Sequence, residues 1–129
     1  MKVLVWSVVL YGSETWTIRK EDEKRLEAFE MWIWRKMEKV KWQDMVTNEE
    51  VLRRVHEERS LVASIRKRQQ QWFGHILRHA SLLRDLIEGR MKGKKYRGRP
   101  RIMMLDWLQQ GNGYQAMKVK AMNRSLWRN

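Results

Sequence analysis

An all-α fold is what this sequence predicts: a small helical bundle with a basic glycine-rich loop and a loosely held C-terminal helix. Three observations predict it. Apolar residues recur at three- and four-residue spacings in several segments. Helix-start and helix-stop residues flank those segments. The chain has 129 residues, 15.9 kDa and 43% hydrophobic residues, enough apolar material for the core of one small domain. Cysteine is absent, which removes disulfide staples, thiolate nucleophiles, iron–sulfur clusters and Cys-based zinc sites.

Residues 1–11 (MKVLVWSVVLY) imitate the apolar region of a signal peptide, but Gly12-Ser13-Glu14 follows where a small-residue cleavage site would stand. The run is also shorter than the roughly 20 apolar residues a bilayer span needs. It reads as a buried helix or strand whose upstream partners are missing. Residues 20–40 give the clearest helix. Glu21, Asp22 and Glu23 crowd its first turn and Arg35, Lys36 and Lys39 its last, as the macrodipole favours. Leu26, Phe29, Ile33, Met37 and Val40 form its apolar stripe, and Trp32 and Trp34 read as core residues that widen it. Thr47-Asn48-Glu49-Glu50 is a capping box that opens a short helix to about His56, burying Val51, Leu52 and Val55.

A further amphipathic helix is predicted from about Glu58 to His79, with Leu61, Val62, Ile65, Trp72, Phe73, Ile76 and Leu77 facing inward. Its other face carries Arg59, Arg66, Lys67, Arg68 and Arg78, with no acid after Glu58. Residues 82–88 make a last apolar turn or two, stopped by Gly89. Residues 89–98 are a glycine-punctuated basic loop or hairpin. Pro100 suits the first position of a helix over residues 101–110, which Gly111-Asn112-Gly113 ends. Residues 114–127 form a final basic helix with Met117, Ala121 and Trp127 as its apolar positions. By organisation, residues 1–18 are one segment, 19–89 a helical domain, and 90–129 a basic loop with terminal helices.

Charge is divided unevenly. Up to Ser64 there are 12 basic and 12 acidic residues; beyond it there are 16 basic ones against Asp85, Glu88 and Asp106. The whole excess of +13 therefore belongs to the second half, the pattern of a phosphate-binding face and not of charge spread for solubility. The densest stretch runs from Arg90 to Arg101 and holds seven basic residues and no acid.

Within it, Arg97-Gly98-Arg99-Pro100-Arg101 matches the core of an AT-hook. In that motif glycine lets the backbone approach the minor-groove floor and two arginines flank it where the potential is most negative. Phosphate contact without base preference is the favoured reading of the same residues. The candidate nucleic-acid contacts are Arg66, Lys67, Arg68, Arg78, Arg90, Lys92, Lys94, Lys95, Arg97, Gly98, Arg99, Pro100 and Arg101. Tyr96 is placed to stack on an unpaired base. His75 and His79 stand four apart, a spacing that permits shared metal binding, but they are read as structural because no cysteine or same-face carboxylate accompanies them. No metal and no other cofactor is expected. No clustered carboxylates, glycine-rich phosphate loop or nucleophile–base pair points to an active site.

Several segments together resemble the C-terminal region of LINE-type (non-LTR) retrotransposon reverse transcriptases. They are, in order, 5–17 (VWSVVLYGSETWT), 25–32 (RLEAFEMW), 34–37 (WRKM), 47–52 (TNEEVL), 74–79 (GHILRH), 88–90 (EGR), 98–101 (GRPR) and 123–128 (NRSLWR). The resemblance implies a region that follows the palm domain and covers the thumb edge and C-terminal extension. Proteins of that family bind element RNA and target DNA and copy the RNA at a nicked genomic site. The chain departs from the family in three ways. No Asp-Asp pair stands anywhere for the palm's two metal ions, no upstream endonuclease domain is present, and Ser13 and Ile33 occupy positions where relatives often carry cysteine. The resemblance thus implies a truncated remnant or partial gene model beginning at an internal Met1, not by itself an enzyme. Its expected partners are RNA or DNA and the missing polymerase domain, with no membrane, and its location is nuclear if expressed. A helical interaction module is the second reading, since eight Trp and nine Met leave apolar surface for docking or self-association. A decayed frame with no function is the third.

Overall fold

The computed structural model describes residues 2–88, 104–109 and 113–128, and among these the fold is all-α with no strand. A π-helical turn, Lys2–Trp6, leads into α1 (Ser7–Val9), followed by α2 (Lys20–Met37), α3 (Asn48–Val55), α4 (Leu61–Arg78) and α5 (Leu82–Ile87). The last described helices are α6 (Asp106–Gln109), α7 (Gly113–Met122) and α8 (Arg124–Arg128). The expected basic loop and the Pro100 helix start lie outside the described residues, as does Gly89. Packing divides the chain into two compact units. One comprises Met1–Tyr11 and Ile18–Arg66, the other Gly12–Thr17 and Lys67–Asn129, so that the division falls inside α4.

The first unit is built on α2 and its neighbours. Trp6, Leu10, Met31, Ile33, Trp34, Val51, Leu61 and Ile65 form its core, with the rings of Trp6 and Trp34 5.8 Å apart. The expected burial of Trp32 and Met37 is corrected: both are exposed. At about 100° per residue, the buried arc of α2 centres on Glu30, Met31, Ile33 and Trp34, which places Trp32 on the opposite side. Met37 sits in the last turn, at the end of the packed arc. The N-terminal run is helical, and among its described side chains Trp6 and Leu10 are buried while Leu4, Val8 and Tyr11 face outward.

Polar contacts fix where these helices begin. Glu30 is buried on the apolar face of α2, and its carboxylate accepts the backbone N–H groups of Ser60 (2.9 Å) and Leu61 (3.2 Å), capping α4 from a neighbouring helix. Thr47 Oγ1 accepts the Glu50 N–H at 3.3 Å, as the capping box requires. The reciprocal half of that box is not formed. The Glu50 carboxylate turns to Arg53 (2.7 Å) and Arg54 (3.1 Å), one turn on along its own helix. Arg35 ties the end of α2 to the entry of α3 by donating to the Val46 carbonyl (2.6 Å) and the Asn48 side chain (2.9 Å).

In the second unit Phe73, Leu77, Leu105, Met117, Ala121 and Trp127 form the core, and Trp72 packs against it partly buried. Gln69 is buried in line with Ile65 and Phe73. Its amide donates to the carbonyls of Ser13 (3.0 Å) and Trp16 (2.8 Å), fastening the segment after Gly12. Ser81 caps α5 by accepting the Arg84 N–H at 3.3 Å. Where the sequence predicts one terminal helix, there are two. The break is at Asn123, whose side chain accepts the N–H groups of Ser125 and Leu126 and so starts α8. Met117, Ala121 and Trp127 are buried as the periodicity predicts.

Candidate nucleic-acid interface

The second unit gathers cations where α4 and α8 meet. Gln71, His75 and Arg78 follow one another at four- and three-residue spacing along α4 and share a face. On α8, Trp127 and Arg128 stand three and four residues after Arg124. The two faces meet because Gly74 has no side chain: a Cβ there would collide with the Trp127 indole. The Trp127 indole N–H donates to the Gln70 carbonyl (2.6 Å), and the Gln70 amide returns a bond to the Trp127 carbonyl (2.7 Å). Arg78 completes the joint by donating to the Ala121 carbonyl at 2.9 Å. The result is a pocket of about 270 Å³ lined by Gln71, His75, Arg78, Arg124, Trp127 and Arg128.

Three guanidinium groups on one pocket make a geometry suited to phosphate, which an arginine fork can bind through two parallel bonds. Arg124 and Arg128 are exposed, and neither pairs with an acidic side chain among the described residues. His75 and His79 lie with ring centroids 4.6 Å apart, and no group of three potential metal ligands exists among the described residues. By sequence the second unit carries 15 basic and four acidic residues, net +11; the first carries 13 and 11, net +2.

Of the contacts expected from sequence, Arg66, Lys67, Arg68 and Arg78 are described; Arg90, Lys92, Lys94, Lys95, Tyr96, Arg97, Gly98, Arg99, Pro100 and Arg101 lie outside the described residues. The sequence places no acid after Glu58 on the basic face that runs into α4. Acids distant in sequence meet it: Glu23 pairs with Arg66, Glu27 with Arg59 (3.5 Å) and Glu14 with Arg68 (3.4 Å). Lys67 is exposed, and Arg78 spends its guanidinium partly on the Ala121 carbonyl. Sequence reasoning missed Arg124, Arg128 and Gln71 as site residues. The three-and-four spacing of Arg124, Trp127 and Arg128 was legible, but the docking on α4 through Gly74 was not.

No helix among the described residues is long and apolar enough to cross a membrane. Comparison with protein-family models, curated proteins and solved structures finds no match.

Proposed function

We propose that this chain binds nucleic acid through the second unit, as the C-terminal region of a retrotransposon-type reverse transcriptase would, and performs no polymerisation itself. The observation that carries the binding reading is the pocket walled by Arg78, Arg124 and Arg128 on the unit that holds nearly all the excess positive charge. The polymerase connection rests on the ordered motifs in the sequence. Two of them, GHILRH (74–79) and NRSLWR (123–128), include the Gly74, Arg78 and Trp127 of the joint, which gives those residue types a physical reason. The proposed partners are RNA or DNA, and the proposed location is the nucleus.

Fluorescence anisotropy with labelled RNA and DNA across a salt series tests the binding. Engagement of about six phosphates gives a slope of log affinity against log salt of roughly −4 to −5. Replacing both Arg124 and Arg128 by alanine should flatten that slope by about 1.5 to 2. A salt-independent affinity, or a double variant with the parent's slope and affinity, would contradict the reading.

A second reading is favoured by one observation. Leu4, Val8 and Tyr11 form an exposed stripe at helical spacing, and Leu82, Leu83 and Leu86 are exposed on α5. As an interaction module the chain would self-associate or dock on a polymerase domain. Size-exclusion chromatography with light scattering separates the two: a monomer that binds RNA supports the first, and an oligomer indifferent to nucleic acid supports the second.

A further inference from the structure

We propose that the groove between the end of α2 and the turn Trp42–Asp44, in the first unit, binds single-stranded nucleic acid, with Trp32 and Trp42 stacking on bases and Lys36, Lys39 and Lys41 contacting phosphates. The groove has a volume of about 660 Å³. Trp32 is 56% exposed and Trp42 78%, whereas Trp6 and Trp34 of the same unit are buried. An exposed indole forgoes the transfer free energy that the buried ones realise, so two on one groove call for an occupant.

The exposure of Trp42 is built, not frayed. Lys41 N–H donates to the Asp44 carboxylate (2.8 Å), and Asp44 N–H to the Lys41 carbonyl (3.1 Å), so the turn that carries Trp42 is closed by its own bonds. Non-glycine residues in the left-handed region bracket it, Lys39 at φ 54° and Met45 at φ 49°. Lys39 occupies the position where a helix-ending Schellman turn favours glycine: its N–H reaches the Lys36 carbonyl, and the Val40 N–H reaches that of Arg35. A lysine held at that strained position sets a cation on the groove wall.

Charge complementarity selects the occupant. Between residues 32 and 43 the chain has Arg35, Lys36, Lys39 and Lys41 against Glu38 alone. Arg35 is committed to Val46 and Asn48, and the Asp44 carboxylate to the Lys41 N–H, which leaves the lysines to face a polyanion. Lys36 Nζ lies 5.9 Å from the centre of the Trp32 ring and Phe29 stacks beside it at 6.2 Å, so the indole is held in place next to a cation while more than half of its surface stays open. An acidic peptide would satisfy the lysines but offers no flat partner to the indoles, and a duplex keeps its bases stacked inside. Unpaired nucleotides supply both chemistries.

The test uses the full chain and anisotropy with a labelled 12-nucleotide oligo(U) and a duplex hairpin, comparing the parent with Trp32→Ala/Trp42→Ala and with Arg124→Ala/Arg128→Ala. The tryptophan variant should lose about tenfold or more in affinity for the single strand and less than twofold for the duplex. The arginine variant should lose on both, so the groove and the arginine pocket fail separately. Unchanged single-strand affinity in the tryptophan variant, or equal losses on both ligands, would overturn the proposal. So would a variant that loses an oligoglutamate peptide but keeps the oligonucleotide. Should the double variant not fold, Trp42→Leu, at a site with little packing to lose, should still weaken the single strand severalfold. Cross-linking with 5-iodouridine should label residues 32–43, and labelling confined to other segments would overturn the assignment.

Discussion

Replacing Glu30 should destabilise the first unit more than any substitution of an exposed acid. The carboxylate is 1% exposed and accepts two backbone N–H groups at the start of α4, with the Ser60 hydroxyl at 3.4 Å as a third, weaker donor. Hydrogen bonds to a charged acceptor are each worth about 1.5–3 kcal/mol net, and a negative charge at a helix N-terminus adds roughly 0.3–1 kcal/mol. Desolvating the carboxylate offsets part of this gain by several kcal/mol in order of magnitude. Glu30→Ala removes the acceptor and leaves the donors of Ser60 and Leu61 without it. The net loss is therefore about 2–4 kcal/mol, a large share of the 5–15 kcal/mol typical of a domain. Glu30→Gln keeps one acceptor oxygen and should lose roughly half as much. Urea denaturation followed by circular dichroism at 222 nm reads both as midpoint shifts at constant slope. A Glu30→Ala unfolding free energy within about 0.5 kcal/mol of the parent's would refute the assignment of Glu30 as the cap of α4.

Other substitutions probe the second unit and the charges. Gly74→Ala raises helix propensity by about 1 kcal/mol yet should lower the melting temperature, because the new methyl meets the Trp127 indole; a stabilised variant would mean that α8 does not dock there. Glu88, whose side chain is 3% exposed, joins Arg84 (3.5 Å), Tyr114 (2.8 Å) and Lys118 (2.7 Å). Glu88→Ala should therefore cost about 2–4 kcal/mol in a denaturation series, and a loss below 1 kcal/mol would show the cluster to be inert. Hydrogen bonds from Arg53, and then from Arg54, hold the Glu50 carboxyl below the ordinary carboxylate range. With the folded value below the unfolded one, its contribution to α3 is present above the ordinary carboxylate range and is lost as pH falls through the folded pKa. A carbon-13 titration should find the midpoint depressed, and one at about 4.3 would contradict the pairing. Glu27→Gln should release Arg59 and steepen the salt dependence of nucleic-acid binding by about 0.7 to 0.9; an unchanged slope would show that Arg59 never meets phosphate.

The helices were legible because their signals are local. The acidic first turn of α2, the Thr47 cap and the apolar positions Leu61, Ile65, Phe73 and Leu77 all act within one or two turns of chain. Residues whose role depends on a distant partner were not. Gln69 lies in the middle of the buried row of α4 but reads as solvent-facing until the carbonyls of Ser13 and Trp16 are placed against it. Glu30 has the spacing of a core position and the chemistry of a surface one, and only the start of α4 resolves the conflict. Trp32 was misread for the opposite reason: an apolar residue type outweighed an angular position that faces away from the core.

The same distinction governs the candidate interface. A run of arginines measures how much positive charge a segment holds, but binding depends on how much of it is left after the fold has answered it. On α2, Glu23 and Glu27 stand one turn apart; Glu23 meets Arg66 on α4 and Glu27 meets Arg59 in the segment just before it, with Glu30 capping the start of α4 between them. Those acids hold α2 against the start of α4, and one of the cations they pair with, Arg66, is a residue that sequence alone assigns to phosphate. Such exposed or half-exposed pairs are individually worth little, about 0–1 kcal/mol. A polyanion could compete for their arginines only by breaking the register that Glu30 independently maintains. Arg124 and Arg128 carry no such obligation, and Gly74 and Trp127 fix where they stand. The phosphate contacts proposed for the second unit should therefore be sought on its α8 side, and the number of phosphates engaged should fall well short of the number of basic residues.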